Sequence, residues 1–235
     1  MGYVLHNRLG SGGFAVEAAL TLAGAPFETR LITSRPSGPL GSAVAHLNRW
    51  GQLPVLEMGD GTKMTEVAAI LAYLERVEVG CRQGPHLFMD DEASSLRWLV
   101  FLSVNVYEGI LRQAYPERYI APLPQEPKAA SRPPQGESGD RRAELERALA
   151  LKAKERVHAA FRTIQAETEH HSFTLSDRLS CCDIYLAMLY EWHGTHADLP
   201  KCTAIARHVA THPKIAPLWE QNFQQGINDG WRTTS

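Results

Sequence analysis

The sequence predicts two domains of different class: an α/β domain over residues 1–80 and an all-α helical bundle over 93–235, joined by a linker at 81–92. Three observations predict it. The first 80 residues alternate strand-like and helix-like runs, the residues after 92 carry helical periodicity, and Gly80, Gly84 and Pro85 break the stretch between them. A chain of 235 residues is long enough to bury two ordinary cores, and 44% apolar with 21% charged residues is the composition of a globular protein.

The first strand is Tyr3 to Asn7, stopped by the loop Arg8 to Gly13. Val16, Ala19, Leu20 and Ala23 then fall at helical spacing, and Gly24 ends that helix. Phe27 to Thr33 reads as a second strand, followed by a Ser/Pro/Gly-rich connection from Ser34 to Ser42 and a short helix around Ala43 to Asn48. Leu53 to Glu57 is a strand that contains Pro54, so it needs an edge or a special peptide bond. Asp60-Gly61 is a hairpin turn leading into Thr62, Lys63 and Met64. The last helix of this half starts near Glu66 and presents Val67, Ile70, Leu71 and Leu74 on one face. A βαβ unit followed by ββα is the thioredoxin-like arrangement.

In the second half, Ala93 to Gln113 has apolar residues on more than one side, as a central bundle helix should. Ile120 to Asp140, rich in Pro, Ser, Gln and charge, reads as a mobile surface loop. A long helix resumes near Arg141, with Leu145, Leu149, Ala153, Val157, Phe161 and Ile164 along one face. Ser180-Cys181-Cys182-Asp183 opens another helix with a variant of the capping box. Pro213 and Pro217 break the segment Thr211 to Trp219, which leads to a loose C-terminus.

Composition and charge also exclude function classes. A net charge of −2 argues against a nucleic-acid partner. No run approaches the ~20 apolar residues of a membrane helix, and the opening residues do not read as a secretory signal, so a cytoplasmic protein is expected. Cys81, Cys181, Cys182 and Cys202 fit neither a redox CxxC pair nor a metal site, and read as free thiols. His170-His171 has no partner at ligand spacing and is expected on a solvated helix end.

The segment Gln52 to Leu74, with its Leu-Pro strand, Asp-Gly turn, Thr65-Glu66 and the Ala69-Ile70 to Tyr73-Leu74 helix, resembles the glutathione-site segment of glutathione transferases. Leu179 to Trp192 resembles the Ser-x-x-Asp helix of the same family, and Asn105 to Tyr107 with Tyr115 to Tyr119 is similar to the pocket helix of bacterial and fungal members. The resemblance implies reduced glutathione as co-substrate, a homodimer, and a small hydrophobic second substrate held by the helical half.

It also implies roles for residues. A cis Pro54 would turn the Val55 N–H and C=O toward the cysteinyl backbone of glutathione; the alternative is a trans proline on an edge strand. Glu66 would face the γ-glutamyl amine while nearby N–H groups, after Thr65 and at Val67, hold its carboxylate. Val67 replaces the family's usual serine and cannot donate a side-chain hydrogen bond, a loss of roughly 1.5–3 kcal/mol. Gln52, beside Leu53, and Arg35 are candidates for the glycyl carboxylate.

The glutathione thiol has an ordinary pKa of roughly 8.5, which a helix N-terminus and a hydroxyl donor can lower. Ser11, in the loop ahead of the first helix, is the candidate catalytic donor; capping that helix is the alternative role, and Tyr3 and Asn7 are fallback donors. Tyr107, Arg112 and Tyr115 are candidates for the electrophile pocket, although Tyr107 and Arg112 are five residues apart and Arg112 can instead pair with Glu108. The functions that follow are a glutathione transferase-like enzyme, a glutathione-dependent lyase, isomerase or peroxidase, or a non-catalytic binding module of the same fold.

Overall fold

The computed structural model describes residues 2–33, 44–79, 92–120, 137–174, 178–194 and 197–223. The first domain is a four-stranded sheet with strands β1 (Tyr3–Asn7), β2 (Phe27–Leu31), β3 (Val55–Glu57) and β4 (Lys63–Met64), in the order β2-β1-β3-β4. β1 pairs parallel with β2 and antiparallel with β3, and β3 antiparallel with β4. With α1 (Gly13–Ala23) and α2 (Val67–Val79) this is the expected thioredoxin-like α/β unit. The parallel pair needs a crossover, which α1 supplies.

The second domain is helical throughout: α3 (Glu92–Phe101), a π-helical segment Leu102–Tyr107, α4 (Glu108–Ala114), α5 (Glu137–Glu167), α6 (Cys181–His193), α7 (Pro200–Thr211) and α8 (Ala216–Phe223). Several boundaries differ from the sequence reading. β3 starts only at Val55, because proline has no N–H to give a strand ladder. Residues 44–47 form a turn closed by Leu47 and Asn48 N–H on the Val44 carbonyl, not a helix. α5 begins four residues before Arg141, inside the stretch read as loop. Residues 121–136 of that loop, most of the 81–92 linker, the Ser34–Ser42 connection and Cys81 lie outside the described residues.

Two helices hold the domains together. Gly13 to Leu20 of α1 are all buried, which suits a helix of small and apolar residues enclosed by α2, α6 and α8. Phe14 of α1 makes edge contacts with Trp219 and Phe223 of α8, at ring-centroid distances of 5.3 and 4.9 Å. α6 is buried almost entirely and is capped as the sequence predicts: Ser180 Oγ accepts from the Asp183 N–H, and Asp183 Oδ2 from the Ser180 N–H at 2.7 Å. Burying each large apolar side chain here is worth roughly 1.5–3 kcal/mol. That packing fixes the N-terminus of α1 against the helical domain, where the cavity described next opens.

Candidate functional site

A cavity of about 290 Å³ lies between the two domains. The first domain contributes Asn48, Gln52, Leu53, Pro54, Glu66 and Val67, and the helical domain contributes Ser103, Val104, Tyr107, Glu108, Arg112 and Tyr185. Of the residues singled out in the sequence, Gln52, Leu53, Pro54, Glu66, Val67, Tyr107 and Arg112 are therefore brought together.

The first-domain wall is built from irregular backbone. The Leu53-Pro54 peptide is cis. Val55 follows it, buried in β3; β4 ends at Met64, so no strand pairs with Val55 on that side. Glu66 has φ of 67°, a left-handed conformation that costs a residue with a side chain on the order of 1–3 kcal/mol. Its carbonyl accepts the Ile70 N–H and so starts α2, leaving Val67 as the first helical residue. Thr65 is half-buried between β4 and α2 and does not line the cavity.

The helical wall comes from the π-helical segment, in which the Glu108 N–H reaches the Ser103 carbonyl five residues back. This wider turn puts Ser103 and Glu108 on one side, and single π turns often mark functional positions. The Tyr107 ring is held by Tyr185 and Trp192, at centroid distances of 6.4 and 5.6 Å. Burial, reinforced by the Glu108 carboxylate, pushes the Tyr107 phenol up to about 12, so it stays protonated at neutral pH. The Tyr185 and Ser103 hydroxyls share a single hydrogen bond at 3.1 Å. Arg112 makes the expected i,i+4 pair with Glu108 at 3.4 Å and lies over the Tyr119 ring.

The loop ahead of α1 is organised around Asn7. Ser11 Oγ donates to Asn7 Oδ1 at 2.9 Å, the Arg8 N–H donates to the same oxygen at 2.7 Å, and Asn7 Nδ2 donates to Glu17, which also accepts from Thr29. Ser11, Asn7 and Glu17 are all buried, so the Ser11 hydroxyl is donated inside this network and is not among the residues that line the cavity. A Cβ on Gly13 would lie 1.9 Å from Asn7 Oδ1, so only glycine fits there. From the helical domain, Asn222 Oδ1 accepts the Gly10 N–H at 3.0 Å.

Other residues stand away from the cavity. Tyr3 begins β1, about 13 Å along the strand from Asn7 at the usual rise. Tyr115 follows the end of α4 and lies beneath the Arg118 guanidinium, 4.0 Å from its ring centroid, outside the cavity walls. Arg35 falls outside the described residues. Cys181, Cys182 and Cys202 are buried and unbridged, and His170 and His171 are exposed in a turn after α5. Among the described residues no group of three His, Cys, Asp or Glu is placed to hold a metal ion. Ser103 and Tyr185 were not singled out in the sequence, and Glu108 only as a partner for Arg112, since an α-helical projection does not align Ser103 with Glu108.

Residues 14–77 match the family model described as the N-terminal domain of glutathione S-transferase. No curated protein matches the chain. Solved structures with the same fold include a glutathione transferase homolog from Sulfitobacter with bound glutathione, at 17% identity, covering 92% of this chain and 96% of that one with a TM-score of 0.70. A glutathione S-transferase from Pseudomonas fluorescens is 22% identical over 91% of this chain and 97% of that one, TM-score 0.63. Ure2p in complex with glutathione is 16% identical over 93% and 94%, TM-score 0.68. At these identities the likeness is one of fold.

Proposed function

We propose that this chain, whose first domain belongs to the glutathione S-transferase N-terminal domain family, binds reduced glutathione in the interdomain cavity and directs its thiolate at a small hydrophobic electrophile. The observation that carries the reading is the convergence of Gln52, Leu53-Pro54, Glu66 and Val67 with Tyr107 and Arg112 on a single cavity. The strained backbone at Glu66 is the kind of outlier that persists where a ligand needs it. In this reading Val55 supplies main-chain hydrogen bonds to the cysteinyl unit, Glu66 meets the γ-glutamyl amine, N–H groups from Thr65 to Val67 meet its carboxylate, and Gln52 the glycyl end. The thiol gives its proton to water, the sulfur pair forms a bond to carbon, and the leaving group departs with its own electron pair. The electrophile would sit against Val104, Tyr107, Arg112 and Tyr185.

A homodimer fits the surface: Leu96, Val100 and Val104, spaced four apart, are 43%, 56% and 59% exposed, and Trp50 of the first domain is 63% exposed. No helix among the described residues is long and apolar enough to cross a membrane, and buried free thiols suit a reducing cytoplasm.

Two observations favour the second reading, a glutathione-binding module without transferase turnover. Val67 has no hydroxyl for the γ-glutamyl carboxylate, and the Ser11 hydroxyl is already donated to Asn7. Calorimetric titration of the full chain with reduced glutathione, together with ultraviolet absorbance of the thiolate, separates the readings. Saturable binding with a thiolate signal at neutral pH is expected for the enzyme. Binding without that signal leaves the module, and no binding removes both.

A further inference from the structure

Among the described residues the first domain offers no free hydroxyl at the end of α1, where Ser11 already donates to Asn7, and the helical domain supplies one. A Cβ on Gly12, the residue that caps α1, would lie 3.2 Å from the Tyr107 hydroxyl oxygen and 3.1 Å from Val67 Cγ2. A side chain at Gly12 would crowd the phenol against the helix N-terminus. Among the described residues that hydroxyl has no hydrogen-bond partner, whereas Ser103 and Tyr185 share one hydrogen bond and Ser11 donates to Asn7. The ring packs against those of Tyr185 and Trp192.

We infer that the Tyr107 hydroxyl, and not Ser11, is the hydrogen-bond donor that holds the glutathione thiolate at the N-terminus of α1. The inference rests on the glutathione reading of the cavity. A donor from the helical domain is unexpected for a sequence with a serine in the first loop, but Ser11 is committed by geometry. Releasing its hydroxyl would take from Asn7 Oδ1 one of its two donors in a buried network that cannot shift, since Gly13 already stands against that same oxygen. Tyr107, in contrast, loses nothing by donating. Burial keeps it protonated, so it donates a hydrogen bond without surrendering its proton, and the thiol proton leaves for solvent. The positive end of α1 adds to the same stabilisation.

The test compares the unaltered chain with Tyr107→Phe and Ser11→Ala, using reduced glutathione and S-methylglutathione, which has no thiol to ionise. Urea unfolding first establishes that Tyr107→Phe is folded, as expected for a hydroxyl without a partner. S-methylglutathione is then expected to bind Tyr107→Phe and the unaltered chain alike. The apparent pKa of bound glutathione, read from thiolate absorbance against pH, should rise in Tyr107→Phe by about 1 to 2, the effect of one lost hydrogen bond to a charged group. Turnover below the new midpoint should fall about 10- to 100-fold in consequence. Ser11→Ala should shift the same midpoint less. An equal thiolate pKa in Tyr107→Phe and the unaltered chain overturns the inference. So does loss of turnover at unchanged thiolate pKa, which would place the phenol on the electrophile. If the unaltered chain binds no glutathione, the proposed function falls and this inference with it; if it binds and only the Tyr107 result fails, the proposed function stands.

Discussion

Replacing Asp183 by alanine should unfold the whole chain more easily, because the capped helix is the one on which both domains rest. Asp183 is fully buried, and its carboxylate accepts from the Thr174 N–H at 2.8 Å, the Ser180 N–H at 2.7 Å and the Ser180 hydroxyl. Alanine leaves two backbone donors buried without partners, at about 1–3 kcal/mol each. Against this, the protein no longer buries a carboxylate, so the net cost should be about 3 kcal/mol. Asp183→Asn keeps one acceptor but turns an N–H₂ toward donors, and should cost about half as much. The assay is urea unfolding, with the midpoint falling at constant slope.

A pH series adds a second check on Asp183. Burial raises its carboxyl pKa, with hydrogen bonds from Ser180 and Thr174 pulling the other way. The folded state therefore holds the proton more strongly than the unfolded chain, whose value is near ~3.9. Stability from this group falls as pH rises from that value through the folded pKa. The advantage of the unaltered chain over Asp183→Asn should thus be greatest in acid and shrink toward neutrality. A loss under about 1 kcal/mol in Asp183→Ala, or an advantage over Asp183→Asn that grows with pH, would refute the reasoning.

Three further outcomes are expected. Val67→Ser restores a hydroxyl at the first turn of α2 and should tighten glutathione binding about tenfold by calorimetry; unchanged or weaker affinity would show that the γ-glutamyl end lies elsewhere. Gly13→Ala drives a Cβ to within 1.9 Å of Asn7 Oδ1, so thermal unfolding should report a loss of about 3 kcal/mol from overpacking and broken hydrogen bonds; a smaller loss would mean the Asn7 network is not rigid. Cys181, Cys182 and Cys202 are buried, and burial raises each thiol pKa, that of Cys202 to about 12. A thiol reagent at neutral pH should leave all three unmodified until denaturant is added, as mass mapping would show.

How far the sequence could be read depends on the range of the physical signal. The strands, α1, α2 and the Ser180–Asp183 cap were legible because each is specified by neighbours within a few residues: alternation, helical spacing, a capping box. Residues 44–47 and the start of α5 were not, since a weak local preference there is decided by what the segment meets. The Leu53-Pro54 corner was legible only through resemblance, because nothing local chooses cis over trans.

The site itself depended on a feature with no local signature. Read at 3.6 residues per turn, Tyr107 and Arg112 fall on different stripes of one helix, and packing or salt bridging accounts for each. The π-helical segment slips the phase between Ser103 and Glu108, so that both line one cavity with Tyr107 and Arg112. Conversely, Ser11 looked available because sequence shows a hydroxyl in a glycine-rich loop, but not the Asn7 oxygen that consumes it. The two features lie side by side: Ser11 is hydrogen-bonded within its loop, and a Cβ on Gly12 would crowd the Tyr107 hydroxyl at 3.2 Å. A side chain introduced at Gly12 would therefore press on Tyr107 from across the domain boundary, so the chemistry proposed for this cavity would depend on the docked domains and on neither one alone.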